Sequence, residues 1–403
     1  MKTYILKYLH ETLLIFIFVS NGVFAQTLTL KQSIEIAYKN NYLLKVSNLE
    51  TQGQELLIKT TRELAKTNLD VQLGRTQTYY TNDYTLGLVQ QFSHPKLYQA
   101  QADLQKSRVV ASQKNEAFQK NEVVNNLKQV YYQLFYYLQL HRLLAEQDSI
   151  YRNTMQIAQA RYKTGDINSL ERISAEVRLQ EITNRLRALE KDEEAAYQHF
   201  RLLLNNQQKF DLDFNLPIKR DTSVVANALL LANNPLLSVY EQQAVVSQLA
   251  TNVEKQKLKP DFRVGIINQS IEHKLNQMIF SAGVGLPIFT KAQKARIDVA
   301  KVNEKIADSN LKHIEFQLNG QLNILKMNYQ KYQSSLNYYE SYALPQAELI
   351  LKNAMKSYQS GEIDYVELVQ GNQQAWQIKD NYLSTVLNFN QTIIQIETLL
   401  GIE

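Results

Sequence analysis

The feature that most constrains this sequence is that it is written twice. Tyr162-Lys163-Thr164-Gly165-Asp166-Ile167-Asn168-Ser169-Leu170-Glu171 is matched, 196 positions later, by Tyr358-Gln359-Ser360-Gly361-Glu362-Ile363-Asp364-Tyr365-Val366-Glu367. Two further landmarks recur in the same order. Residues 34–42 match 228–235 around Asn40-Asn41 and Asn233-Asn234, 193 apart, and residues 95–101 match 287–292, with Tyr98 and Phe289 191 apart. A duplication of this period makes each half one structural unit that the fold uses twice. The first repeat spans 26–204 and the second 226–403, joined by a polar connection over 205–225 that contains Pro217.

Turn residues are scarce, with 12 glycines and 6 prolines in 403 residues, few for a compact α/β enzyme. Between Lys96 and Tyr162 there are none, which predicts roughly 100 Å of unbroken helix. In the second half Leu311, Ile314, Leu318, Leu322, Leu325, Tyr329, Tyr332 and Leu336 recur at spacings of three and four, a coiled-coil seam. Leu127, Tyr131, Leu134 and Leu138 repeat it in the first half. Pro345 is expected to end or kink the second helix near Leu344.

Ahead of each long helix lie two segments of period two. Strands are expected over 69–80, 84–92, 261–270 and 278–288, linked by 81–83 and by the polar stretch 271–277. Leu69, Val71 and Leu73 alternate with Asp70, Gln72 and Gly74, and Met278, Phe280, Ala282, Val284 and Leu286 alternate with Ser281, Gly283 and Gly285. One apolar and one small or polar face, over about 9–12 residues, suits a tilted strand that crosses a bilayer. Four strands cannot close a barrel, and an isolated hairpin is marginal in water. Closure therefore calls for other copies of the chain. Tyr79, Tyr80 and Tyr84 are candidates for an interfacial aromatic belt.

Residues 1–25 read as a secretory signal peptide, with Lys2 and Lys7 before an apolar stretch and Val23 and Ala25 before a cut at Gln26; a retained anchor helix is the alternative. No other segment approaches the about 18 apolar residues of a membrane helix. The net charge of +5 is spread with alternating sign, which gives no nucleic-acid footprint. With no cysteine, and with His10, His94, His141, His199, His273 and His313 scattered, no metal site and no cofactor are expected. No nucleophile elbow, phosphate loop or ordered acid pair is present, so no catalytic residue is assigned and an enzyme is not expected.

The duplicated turns carry their own local logic. Gly165 and Gly361 suit left-handed positions that end a helix, and Asn168 and Asp364 suit the caps that start the next. Glu171 and Glu367 follow those caps at capping-box spacing.

The helix over 28–42, the two hairpins and the repeated Tyr-x-x-Gly turns together resemble the TolC-like outer-membrane efflux proteins, across essentially the whole chain after residue 25. The resemblance implies a mainly α protein with a small β part. Long coiled-coil helices form an α-barrel, and four transmembrane β-strands per protomer close a shared 12-stranded barrel in a homotrimer. It implies a passive exit duct of a tripartite efflux system, set in outer-membrane lipid with a periplasmic helical extension that meets a periplasmic adaptor protein and an inner-membrane efflux pump. Carried over by position, Gly165, Asp166, Gly361 and Glu362 form adaptor-docking tip turns, and Glu367 and Gln370, six and nine residues after the second glycine, stand at the pore constriction. Three symmetry-related Glu367 carboxylates on a pore axis would attract cations. Tyr358 and Glu171 match a tyrosine–acid pair that locks the closed tip, while Ile363 replaces the family's basic residue. Helix capping and a pore role for Glu171 and Glu367 both remain open here. Residues 90–98 resemble the metal-cation efflux branch. The competing reading is a periplasmic coiled-coil adaptor or scaffold without a pore, which has no need of membrane-length strands.

Overall fold

The computed structural model describes residues 27–75, 82–208, 210–214, 219–220, 222–223, 231–271 and 274–402. The expected signal peptide at 1–25, together with Tyr79, Tyr80, Thr81, Pro217 and His273, lies outside the described residues.

The first repeat opens with β1 (Thr27–Leu28), α1 (Leu30–Asn40) and α2 (Tyr42–Leu57), followed by the hairpin β2 (Asn68–Gly74) and β3 (Asp83–Phe92). It ends with α3 (Pro95–Thr164) and α4 (Ser169–Leu204). After β4 (Asp211–Leu212), which pairs in parallel with β1, come α5 (Pro235–Gln256) and the hairpin β5 (Asp261–Ile271) and β6 (Lys274–Gly285). The chain finishes with α6 (Lys291–Tyr338), a π turn at Tyr339–Ala343, α7 (Leu344–Ser360) and α8 (Tyr365–Leu400).

The duplication is kept down to single hydrogen bonds. α3 and the continuous span from Lys291 to Ser360 each cover 70 residues, and α4 and α8 each cover 36, all displaced by 196. Asn41 and Asn234 both cap the following helix, and their amides donate to the carbonyls of Leu203 at 3.0 Å and Leu399 at 2.8 Å, again 196 apart. Each cap thus ties the start of an upper helix to the end of a lower one.

At about 1.5 Å per residue α3 spans roughly 105 Å, unbroken because nothing in it removes an amide or admits a left-handed residue. His94 caps it, with Nδ1 accepting from the Lys96 amide at 3.1 Å, and Pro95 occupies the first turn, where no amide donor is needed. At Pro345, where the helix is expected to end or kink, regular α-helix is interrupted at Tyr339–Ala343 and resumes at Leu344. The π turn just before it, with the Leu344 amide bonded to the Tyr339 carbonyl, widens the backbone where proline supplies no amide. The helix expected over 28–42 is divided too. Leu28 pairs with Leu212 in a short strand, and Asn41, with φ −61° and ψ 123°, separates α1 from α2.

The four long strands form one antiparallel sheet in the order β2-β3-β5-β6. The fourth strand starts and stops earlier than its apolar pattern suggests. Lys274 pairs with Ile271, so much of the expected polar loop is ladder, and pairing ends at Gly285, before Pro287. Polarity at 274–277 marks the water-facing end of a hairpin, and proline cannot continue a ladder. The helices above follow the strand order: α2 packs on α3, α3 on α5 and α5 on α6. Both layers therefore end in the same way, with β2 and α2 at one edge and β6 and α6 at the other.

The buried core is strung along the helices in separate clusters. The largest joins Leu127, Tyr131 and Leu134 of α3 to Phe200 and Leu204 of α4 and to Leu28. The Tyr131 hydroxyl sits between the carbonyls of Asp213 (2.6 Å) and Leu28 (3.2 Å), fixing the short β1–β4 ladder to the middle of α3. The second seam is buried as read, with Leu318, Leu322 and Leu325 against Leu399 and Leu400 of α8.

Candidate functional site

Two regions carry functional geometry: the sheet and the paired helix turns at the far end of the bundle. In the sheet, the register gives one mostly apolar face, interrupted by Gln90 and Asn268, and one that mixes polar and small residues with Val89, Ile267 and Ile279. Leu69, Val71 and Leu73 of β2 lie beside Leu88, Leu86 and Tyr84 of β3. Phe92, Leu88 and Leu86 align with Phe262, Ile266 and Asn268 of β5, and Phe262, Val264 and Ile266 with Val284, Ala282 and Phe280 of β6. This face is mostly apolar and open to its surroundings, with Leu73 78% and Phe280 77% exposed. The other face carries Asp70, Gln72, Gly87, Gln91, Arg263, Gly265, Ser281 and Gly283. At Gly283 a Cβ would fall 2.5 Å from Arg263 Nε, so any larger residue would have to displace the Arg263 side chain. The guanidinium chain lies flat across it.

At the far end, α3 and α7 stop in the same way. Gly165 (φ 82°) and Gly361 (φ 78°) are left-handed with open space around them, so conformation alone demands glycine. Asp166 N–H donates to the Arg161 carbonyl and Glu362 N–H to the Ser357 carbonyl, each at 2.9 Å, closing both turns in Schellman fashion. The turn acids fold back on their own helices: Thr164 Oγ1 donates to Asp166 at 2.8 Å and Ser357 Oγ to Glu362 at 2.9 Å.

The starts of α4 and α8 differ. Asp364 and Glu367 form a complete capping box, with Glu367 N–H donating to Asp364 Oδ1 at 2.8 Å and Asp364 N–H to Glu367 Oε2 at 3.2 Å. Asn168 accepts from Glu171 N–H at 3.0 Å, but the Glu171 carboxylate takes its bond from the Asn168 side chain at 3.3 Å. Glu367 and Gln370 are both exposed, on the side of α8 away from its buried stripe of Tyr365, Leu368, Asn372 and Trp376. A capping carboxylate that still faces solvent is free to act electrostatically along that face.

Tyr358 is buried, in contrast to its duplicate Tyr162, which is 41% exposed. It packs edge-on against Tyr365, with ring centroids 6.3 Å apart, and the Arg161 guanidinium lies 5.2 Å from its ring centre. Among the described residues no hydrogen bond joins it to Glu171, and its buried hydroxyl has Arg161 as its nearest polar neighbour. Burial pushes this hydroxyl up; Arg161 opposes the shift and Glu171 adds to it. Tyr365 is pushed up to about 12, by burial first and then by neighbouring Tyr151. Among the described residues, Asn372 Oδ1 and Trp376 Nε1 are buried without a hydrogen-bonding partner. Arg178 donates to Gln373 at 3.1 Å and Arg185 pairs with Asp380 at 3.0 Å, tying α4 to α8. Arg161, Tyr151 and Tyr365 carry no signal of their own in the sequence: Tyr358 and Tyr365 lie on different helices, α7 and α8, so no helical spacing links them. Among the described residues no group of three or more metal-binding side chains comes together.

No protein-family model matches the sequence, and no curated protein matches it. Solved structures do. The outer-membrane channel OprN aligns at 16% identity over 92% of this chain and 89% of its own, with a TM-score of 0.77. CusC, studied for its folding and transmembrane channel formation, aligns at 16% identity over 94% of each chain, with a TM-score of 0.78. The outer membrane protein VceC of Vibrio cholerae aligns at 13% identity over 92% of this chain and 96% of its own, with a TM-score of 0.79. The chain has the fold of the TolC-like outer-membrane channels.

Proposed function

We propose that the chain is one protomer of a homotrimeric outer-membrane channel, the passive exit duct of a tripartite efflux system. The observation that carries this reading is the sheet. It has an exposed, mostly apolar face, a more polar face with small residues and, among the described residues, two unpaired edges, and it is joined to helices about 100 Å long. A sheet that is apolar outward and polar inward is what a membrane barrel requires, and unpaired edges are intolerable in lipid unless another strand satisfies them. Pairing β2 of one copy with β6 of the next removes both. The same step covers the exposed stripes of Tyr42, Val46, Leu49 and Leu56 on α2 and of Val299, Val302 and Ile306 on α6. The structural neighbours, named as outer-membrane channels, support the same assignment.

In this proposal Gly165, Asp166, Gly361 and Glu362 form the tips that meet the periplasmic adaptor. Glu367 and Gln370 line the constriction, and Tyr358 with Glu171 belongs to the cluster that holds the tip shut. The pump and adaptor choose the cargo. Outer-membrane fractions should contain a trimer-sized, heat-sensitive band that forms ion-conducting pores in planar bilayers. Recovery as a soluble periplasmic monomer would favour the scaffold reading and end this one.

A further inference from the structure

A second site lies where the sheet meets the helices. A cavity of about 820 Å³ opens between the segment after α2, the first turns of α3 and the start of β5. Its upper wall is Phe92 and Phe262, register partners on the apolar face, where the band facing the membrane ends. Tyr98 stands on the same wall, held by a bond from the Ser93 amide to its hydroxyl at 3.1 Å. The rest of the lining is more basic, with Arg62 and Lys106 alongside a single carboxylate, Asp103. Among the described residues none of these three takes part in an ion pair within 4.0 Å. Arg62 and Lys106 are both exposed, in a chain where many other surface cations are paired.

The geometry points to a glycerophospholipid site: an anionic headgroup against Arg62 and Lys106, with an acyl chain rising along Phe92 and Phe262. The inference rests on the channel reading, since only a chain seated in a bilayer brings this cavity to the level of lipid headgroups. Three properties select the ligand. The volume is that of a small-molecule site rather than a protein groove. Two cations against one carboxylate leave a net positive lining, which suits an anionic lipid better than a zwitterionic one. The aromatic wall continues the apolar face, so a ligand anchored below must extend a hydrocarbon chain upward. A free anion would use the basic half and leave the aromatic half idle.

The test is native mass spectrometry of the full chain in detergent, delipidated and then offered equal amounts of dioleoylphosphatidylglycerol and dioleoylphosphatidylcholine, with inorganic phosphate in a separate arm. We expect phosphatidylglycerol to be retained preferentially and phosphate not to be retained. Retention of phosphatidylglycerol should fall by about thirtyfold in R62Q/K106Q, from the attraction each of the two basic side chains supplies at an anionic surface. Phe262→Gln should lower retention of both lipids. Equal retention of the two lipids, or unchanged retention in R62Q/K106Q, overturns the proposal, and phosphate held without lipid overturns the lipid assignment. Planar-bilayer recordings keep the two readings apart. A wild-type chain that conducts but shows no lipid preference removes this site alone, whereas one that neither inserts nor conducts removes the channel reading.

Discussion

Replacing Glu397 by glutamine should destabilise the chain by about 3–5 kcal/mol, while replacing Lys128 by methionine in the same cluster should cost no more than about 1 kcal/mol. Glu397, on α8, is bonded by Lys128 Nζ of α3 at 3.0 Å and by Arg220 Nη2 at 2.6 and 2.8 Å. The Glu397 side chain is 7% exposed and that of Lys128 6%. Arg220 belongs to the connection between the repeats; its amide donates to Asn390 and its guanidinium lies 5.2 Å from the Tyr132 ring centre. One carboxylate therefore answers two largely buried cations. Removing its charge strands both, and the glutamine amide presents a donor where they need an acceptor. Removing Lys128 instead leaves a neutral Arg220–Glu397 pair with two hydrogen bonds, and methionine fills most of the vacated space. The double variant should recover part of the E397Q loss, because the two sites share one interaction. Guanidinium unfolding of the full chain in detergent, followed by far-ultraviolet circular dichroism, gives the midpoints. If E397Q unfolds together with K128M, the charge-imbalance argument is wrong.

Other outcomes follow from the turns and the far end of the bundle. Gly361→Ala should cost roughly 1–2 kcal/mol because its φ of 78° is left-handed. Gly320→Ala, in the interior of α6 with open space around it, should gain about 0.5–1 kcal/mol; opposite shifts in thermal midpoint are the check. Glu367→Gln should reduce cation preference in bilayer reversal potentials, whereas Asp364→Ala should cost about 1 kcal/mol of stability with selectivity retained. If the two variants behave alike, Glu367 is only a cap. Tyr365, held protonated up to about pH 12 in the fold but only to about 10 when unfolded, binds more protons in the native state between those values. Its contribution is therefore full below pH 10 and lost as pH rises towards 12. The alkaline fall in stability should be shallower in Tyr365→Phe.

The large elements were legible because their signals are local. The long α3 follows from the absence of any helix breaker between Lys96 and Tyr162, and the sheet from alternation that needs no knowledge of a partner strand. Local reasoning failed where the backbone had another way out. Lys274 to Gln277 read as loop because they are polar, yet polarity reports solvent, and the ladder pairs backbone. Pro345 marked the right place, but its sequence does not say that the interruption takes the form of a π turn just ahead of it. At the turns, the caps at Asn168 and Asp364 could be read from spacing, whereas the placement of Arg161 over Tyr358 could not. That contact joins residues almost two hundred positions apart, and the duplicate pair suggested equivalence where the structure has none.

The two long spans hold equal numbers of residues and end in the same left-handed glycine turn, yet Tyr162 is exposed and Tyr358 buried. In the proposed trimer, six turns descended from one ancestral sequence would then stand as two sets of three, one with its tyrosine exposed and the other with it packed inside. A pseudo-sixfold ring built from a perfect repeat would have one kind of contact to offer; this one has two.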